Sequence, residues 1–264
     1  MSLHLCVLAS GSSGNATLIW NGAEAVLIDA GISAKQLKAR VVEAGIDPGA
    51  IRAVVLTHEH SDHVCGMPVL ARQLGIPVYA NGGTAEALLA RAGGESMRFQ
   101  VFSTGSPFSI AGIQFEPFPI PHDACEPVGF IASAGECRAA IATDIGVPTT
   151  LIRTRLRDCD AMILESNHDE EMLRDSDRPW AMKQRILGRQ GHLSNETASE
   201  LLREVAGARL RQVFLAHLSE DCNTHNLALM TARRALDAVG RMDVRIDVAR
   251  PDRISPVWSW NPLS

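Results

Sequence analysis

Residues 57–63 read Thr57-His58-Glu59-His60-Ser61-Asp62-His63, three imidazoles and two carboxylates in seven positions. Neutral imidazole and carboxylate ligate borderline divalent cations, and nothing softer lies in the stretch. The run 52–56 before it, RAVVL, is a strand ending where the ligands begin. His58 and His60 alternate to one side of the chain, while Asp62 and His63 fall one step further along. Four such groups from one loop cannot all close on one ion, so two ions are expected, each with further ligands from elsewhere. Three groups stand in suitable places: His122 after the strand 113–120, Asp144 after 137–143, and His217 after 211–216. Each lies just past an apolar run, where α/β sheets gather their sites. Two divalent ions about 3.5–4 Å apart lower the pKa of a bridging water and clamp an oxyanion, which is the chemistry of hydrolysis.

The elements that must carry these groups are legible as apolar periodicity. Strands are predicted at 3–9, 16–20, 24–29, 53–57, 77–80, 99–103, 113–119, 128–134, 137–142, 160–165, 211–216 and 243–249, with helices between them. A helix over 33–44 opens with the capping pair Ser33 and Gln36 and aligns Ala34, Leu37 and Val41. A second, 195–206, aligns Ala198, Leu201, Leu202 and Val205; a third, 226–239, aligns Leu229, Ala232, Leu236 and Val239. One α/β domain with two sheets, spanning 1–264, is expected.

Composition restricts the function classes. The chain carries a formal net charge of −5 and has a pI near 6.0, which argues against a surface coated in positive charge for nonspecific nucleic-acid binding. A local basic patch remains compatible. No apolar run approaches the ~20 residues that span a bilayer, and the opening MSLHLCVLAS lacks a basic leader. A cytoplasmic protein with no membrane partner is expected. The six cysteines form no CxxC pair and are read as small, buried, reduced thiols.

With Asp29 after AVLI, then THEHSDH, His122, Asp144 and His217 in that order, the sequence resembles the metallo-β-lactamase fold superfamily over nearly its whole length. The resemblance implies a four-layer αββα sandwich. It implies that His58, His60 and His122 hold one metal ion and that Asp62, His63 and His217 hold the other. Asp144 would bridge them beside a water or hydroxide, with Asp29 orienting a ligand or holding the loop. A bridging carboxylate in place of a thiolate suits phosphoryl chemistry. The segments ILESNHDEEML (163–173) and RQGHLSNETASELL (189–202) resemble those of the phosphodiesterase branch that carry an extra histidine. On that resemblance His192 is the candidate proton donor or contact to the scissile phosphate. Glu165 is its orienting partner, and Asp62 completes the catalytic set; His168 is read as a loop histidine. In LASGSSGNATLIW (8–20), Gly11 and Gly14 are expected to offer backbone N–H groups to an anion.

Together SGSSGN, THEHSDH, PHDACEPVGF, ATDIG, LESNHD and GHLSNE resemble the YycJ/WalJ group of the superfamily. That resemblance implies a zinc- or manganese-dependent nuclease with DNA as substrate and 5′-to-3′ exonuclease activity. The acidic chain departs from expectation for such a substrate. Its cations gather at Arg174, Arg178, Lys183, Arg185 and Arg189, in a loop-helix insert expected to grip the phosphate backbone, with Arg185 and Arg189 as the substrate-binding pair. Trp180 in the same insert is expected in core packing, with base stacking as the alternative. A metallohydrolase of a small phosphodiester or thioester is the competing reading.

Overall fold

Two seven-stranded mixed sheets form the centre of the molecule. The structure, a computed structural model, describes residues 2–91, 97 and 99–260. Numbered in chain order, the first sheet holds β1 (Leu3–Ala9), β2 (Ala16–Asn21), β3 (Glu24–Ile28), β4 (Ile51–Val55), β5 (Val78–Asn81) and β6 (Phe99–Phe102) side by side. The second holds β7 (Phe108–Ile110), β8 (Ile113–Pro119), β9 (Val128–Ala134), β10 (Cys137–Ala142), β11 (Ala161–Glu165), β12 (Gln212–Ala216) and β13 (Arg245–Val248) side by side. The last strand, β14 (Trp258–Ser259), returns to pair antiparallel with β1.

Each sheet is antiparallel in its first strands and parallel thereafter. β3, β4, β5 and β6 run parallel, as do β10, β11, β12 and β13. Parallel strands deliver all their C-terminal ends to one edge, and that edge is where the candidate ligands emerge.

Strands buried on both faces need apolar residues on both, which explains why the runs are nearly continuous rather than alternating. In β3, Val26 and Ile28 face the inter-sheet core with Phe115, Phe130 and Phe214. Ala25 and Leu27 face the opposite way, toward the helices α1 (Ala34–Glu43) and α3 (Met67–Leu74). The second sheet likewise packs its outer face on α5 (Thr150–Leu156), α8 (Asn195–Val205) and α9 (His225–Ala238). Helix, sheet, sheet, helix is the expected αββα order. No helix among the described residues is long and apolar enough to cross a membrane.

Several boundaries differ from the sequence reading, for physical reasons. β4 covers 51–55 rather than 53–57: Ile51 already pairs with Ala25 of β3, and at the other end the Thr57 N–H donates to Asp29 Oδ1 rather than to a neighbouring strand. β7 and β14 were not anticipated; three and two residues are too few to show a period. The Ser33–Gln36 capping box forms, and Ala34, Leu37 and Val41 are buried. In α9 the buried face is Ala228, Ala232, Ala235 and Leu236, while Leu229 and Val239 are exposed. All six cysteines are free, but Cys65 and Cys125 are exposed rather than buried.

Candidate metal centre

The ligand-rich stretch leaves β4 and enters α2 (Ser61–Val64) stitched to the turn after β3. Asn15 N donates to Asp62 O at 2.7 Å, Ala30 N to His63 O at 2.7 Å, and Gly66 N to Ala30 O at 2.8 Å. Gly31 permits this approach: a Cβ there would fall 1.6 Å from the Asp62 carbonyl oxygen. Asp29, Asp144 and His217 all adopt left-handed backbone, with φ of 57°, 60° and 56°. Each ends a strand of the parallel edge. Such residues cost about 1–3 kcal/mol each and persist only where surroundings over-determine them.

The expected side chains converge. His58, His60 and His122 bring ring nitrogens within 4.8 Å of one another, as do the donor atoms of Asp62, His63 and His217. Asp144 lies between the two sets. Its Oδ2 is 3.3 Å from His63 Nε2, and its Oδ1 is 3.8 Å from His122 Nε2 and 3.4 Å from His217 Nδ1. His122 Nε2 is 3.3 Å from His60 Nδ1, and Asp62 Oδ2 is 3.4 Å from His63 Nε2 and 3.3 Å from His217 Nε2. Ligands about 2.0–2.1 Å from a tetrahedral ion sit about 3.3–3.4 Å apart. The spacing of the donors therefore fits cations of that size. His58 Nε2 and Asp144 Oδ2 are buried without a hydrogen-bond partner, a costly state that a bound cation relieves.

The supporting contacts are shorter and are true hydrogen bonds. Asp29 Oδ2 is 2.8 Å from His63 Nδ1 and also accepts the Thr57 hydroxyl, so Asp29 both orients an imidazole and holds the loop. Glu165 is fully buried. Its Oε1 meets His192 Nδ1 at 2.8 Å and His217 Nδ1 at 3.0 Å, while its Oε2 accepts Ile145 N and Leu193 N. His192 is half-buried and lines the depression of about 230 Å³ over the cluster, with His60, Asp62, His122 and His217.

Charge follows the same geometry. Burial alone would lower the His217 imidazole, but Asp144, Asp62 and Glu165 push it up to about 10. Burial opposes protonation of His63 too, yet Asp144 and Asp29 hold it well above the ordinary histidine value. Half-buried Asp62 and fully buried Asp144 are both held well below the carboxylate range by the imidazoles around them, against the effect of burial. Protons on His63 and His217 thus occupy places that a divalent cation satisfies better.

Other residues fell where sequence did not indicate. Glu59, inside the ligand stretch, turns away and accepts Cys125 N at 2.8 Å, fastening the loop that carries His122. Asn15 Nδ2 reaches Asp62 Oδ2 at 3.2 Å and His63 Nε2 at 3.1 Å, and Asn167 Nδ2 holds the His217 carbonyl at 2.7 Å. Asn15 lies inside SGSSGN and Asn167 inside LESNHD, so both motifs held these residues, but neither showed which contact the amide makes. Gly11 N donates to Asn15 Oδ1 and Gly14 N to Gly11 O, so neither amide is free for an anion as expected. His168 is buried, bridges backbone to Ser194, and is not a plain loop residue.

The basic insert folds as α6 (Glu170–Asp175) and α7 (Trp180–Leu187) beside the centre. Its cations do not form one patch. Arg174 pairs with Glu170, and Lys183 is buried with Nζ on the Arg174 carbonyl. Arg178, held by Asp221 at 3.0 Å, and Arg185 line the central depression. Arg189 is exposed with no side-chain partner among the described residues and lines a neighbouring depression with Arg185. Trp180 is 66% exposed, against the expectation of core packing.

A family model described as the beta-lactamase superfamily domain matches residues 24–217. The chain is 37% identical over 242 residues to the exodeoxyribonuclease YycJ of Bacillus anthracis, covering 91% of each. It is 34% identical over 259 residues to the exodeoxyribonuclease WalJ of Streptococcus pneumoniae, covering 95% of this chain and 96% of that one. Among solved structures it is similar to the metallo-beta-lactamase fold protein YhfI of Bacillus subtilis, with a TM-score of 0.75 at 16% identity over 98% of this chain and 100% of that one.

Proposed function

The chain belongs to the β-lactamase superfamily as a YycJ/WalJ-type member, and on that premise we propose that it is a metal-dependent exodeoxyribonuclease acting through two divalent ions. The observation that carries the reading is the convergence of two donor sets on Asp144, next to the His192–Glu165 pair and under an arginine rim. In this reading His58, His60 and His122 would hold one ion and Asp62, His63 and His217 the other, with Asp144 available to both sets. The imidazole-rich donors suit zinc, and the carboxylates also suit manganese. When bound, the ions acidify water for attack and neutralise charge growing on the phosphoryl oxygens.

The protein's own groups do the rest. Asp29 accepts from His63 Nδ1 and so presents Nε2 to the centre. Glu165 fixes His192 through Nδ1, which leaves Nε2 to hand a proton to the departing ester oxygen. Arg185 and Arg189 draw in the phosphate backbone, and exposed Trp180 on the same helix pair offers a face for a base. Polarity is 5′-to-3′, as the resemblance to the YycJ/WalJ group implies, and residues 1–264 act as one catalytic unit.

The test is incubation of manganese- or zinc-loaded protein with single- and double-stranded DNA and RNA labelled at either end. Early release of 5′ label as mononucleotide from DNA is the expected result; an inert polynucleotide in every form rejects the reading. The small volume over the cluster, about 230 Å³, also suits a small phosphodiester or thioester. DNA affinity that falls steeply with salt distinguishes the nuclease from that alternative.

A further inference from the structure

One ion pair stands at the mouth of the centre. Asp123 directly follows His122 and turns its two carboxylate oxygens to different partners. Oδ2 meets Arg185 Nε at 2.5 Å. Oδ1 lies 3.3 Å from His122 Nε2, the nitrogen that faces the donor cluster, and is buried without a hydrogen bond. Arg185 lines the central depression and, with Asp123, Thr149, Gln184 and Arg189, a second one of about 630 Å³ beside it. Arg185 thus stands between the two, with Asp123 on the side of the second. The group of His58, His60 and His122 closes without Asp123.

An anionic oxygen pair spanning a cation-binding imidazole and a guanidinium is the arrangement a phosphodiester requires. We propose that Asp123 is an internal stand-in for the substrate phosphate. It holds Arg185 in the free protein and is exchanged for a phosphodiester oxygen on binding. That the incoming phosphate belongs to a polynucleotide rests on the nuclease reading above. Arg185 then passes from one anion to another and is never left unpaired. Asp123 is a specificity residue in this scheme: an anion that cannot outbid a tethered carboxylate is refused, and a spent phosphate is displaced by the returning side chain. The pair is partly exposed, so it is weak enough to be exchanged.

The experiment is calorimetric titration of inorganic phosphate into the zinc-loaded protein, with Asp123→Asn, Arg185→Gln and the double variant alongside. Exchange predicts that Asp123→Asn tightens phosphate by about two- to fivefold, the size expected for a partly exposed ion pair. The gain vanishes when Arg185 is already glutamine, and zinc content stays at the wild-type level. Asp123→Ser repeats the result should the asparagine variant fold poorly. Unchanged phosphate affinity, or a gain that survives Arg185→Gln, overturns the proposal. Loss of zinc in Asp123→Asn also overturns it by making Asp123 a ligand. On labelled DNA the KM of Asp123→Asn falls by a similar factor without a rise in kcat. Should the wild-type protein cut no DNA, the nuclease reading fails, while the phosphate titration still judges the exchange.

Discussion

Replacing Glu165 by glutamine alters one charge and almost no volume, and its consequences can be worked out from the contacts. The carboxylate receives four groups: His192 Nδ1, His217 Nδ1, Ile145 N and Leu193 N. A glutamine keeps one oxygen. The two backbone N–H groups cannot reverse their polarity, so that oxygen stays beneath them and the new NH2 faces the imidazoles. Both Nδ1 atoms must then accept, and the ring protons move to Nε2. His217 Nε2, which faces Asp62 at 3.3 Å, is thereby blocked as a ligand, and His192 loses its fixed orientation. Two charge-assisted bonds, each worth about 1.5–3 kcal/mol, become neutral ones worth about 0.5–1.5 kcal/mol. The difference, about 2–3 kcal/mol in total, is about 30- to 150-fold and overlaps the 10–100-fold loss of metal affinity typical when an outer partner of a ligating histidine is changed. The assay is zinc competition against a chromophoric chelator, with far-UV circular dichroism to verify the fold and kcat measured on labelled DNA. A folded Glu165→Gln protein that binds zinc within twofold of wild type and turns over equally well would refute the reasoning.

Other substitutions separate the remaining roles. His192→Ala is expected to lower kcat by about 10²–10⁴-fold with metal content intact; parallel loss of metal would move His192 into the ligand set. Arg185→Gln with Arg189→Gln should weaken polynucleotide substrates far more than bis(p-nitrophenyl) phosphate, and equal losses on both would reject a backbone-gripping role. His217 sits at about 10 against an ordinary 6.5, so in metal-free protein its protonation stabilises the fold fully below about 6.5 and is lost as pH rises toward 10. Thermal melts should therefore show the metal-free protein losing stability across that window while the zinc-loaded protein does not; a flat metal-free profile contradicts the assignment.

The sequence revealed most of what hydrophobic periodicity controls. β1, β9 and β10 begin and end where their apolar runs do. The short helices α2, α6 and α7 were not individually visible, because four to eight residues hold barely one or two turns and no clear period. In α9, alanines carry the buried face, so the larger Leu229 misled the pattern. At the centre, residue type and position past strand ends were enough to gather the ligand types, since parallel strands bring their C-terminal ends together. What each polar side chain touches was not legible. Glu59 and Asp123 stand beside candidate ligand histidines in sequence, yet one fastens a loop and the other faces an arginine. Trp180 was expected inside because tryptophan usually is, but α7 is too short and too peripheral to cover it. Lys183 reads in sequence as a free cation, yet its ammonium donates to the Arg174 carbonyl.

An anomalous-scattering map from crystals of the zinc- or manganese-loaded protein bears most directly on the central proposal. Two peaks about 3.5–4 Å apart are expected, one within reach of His58, His60 and His122 and the other of Asp62, His63 and His217, with Asp144 between them. A map with no peak in this cluster, or with one peak that leaves either triad without an ion, contradicts the two-ion account.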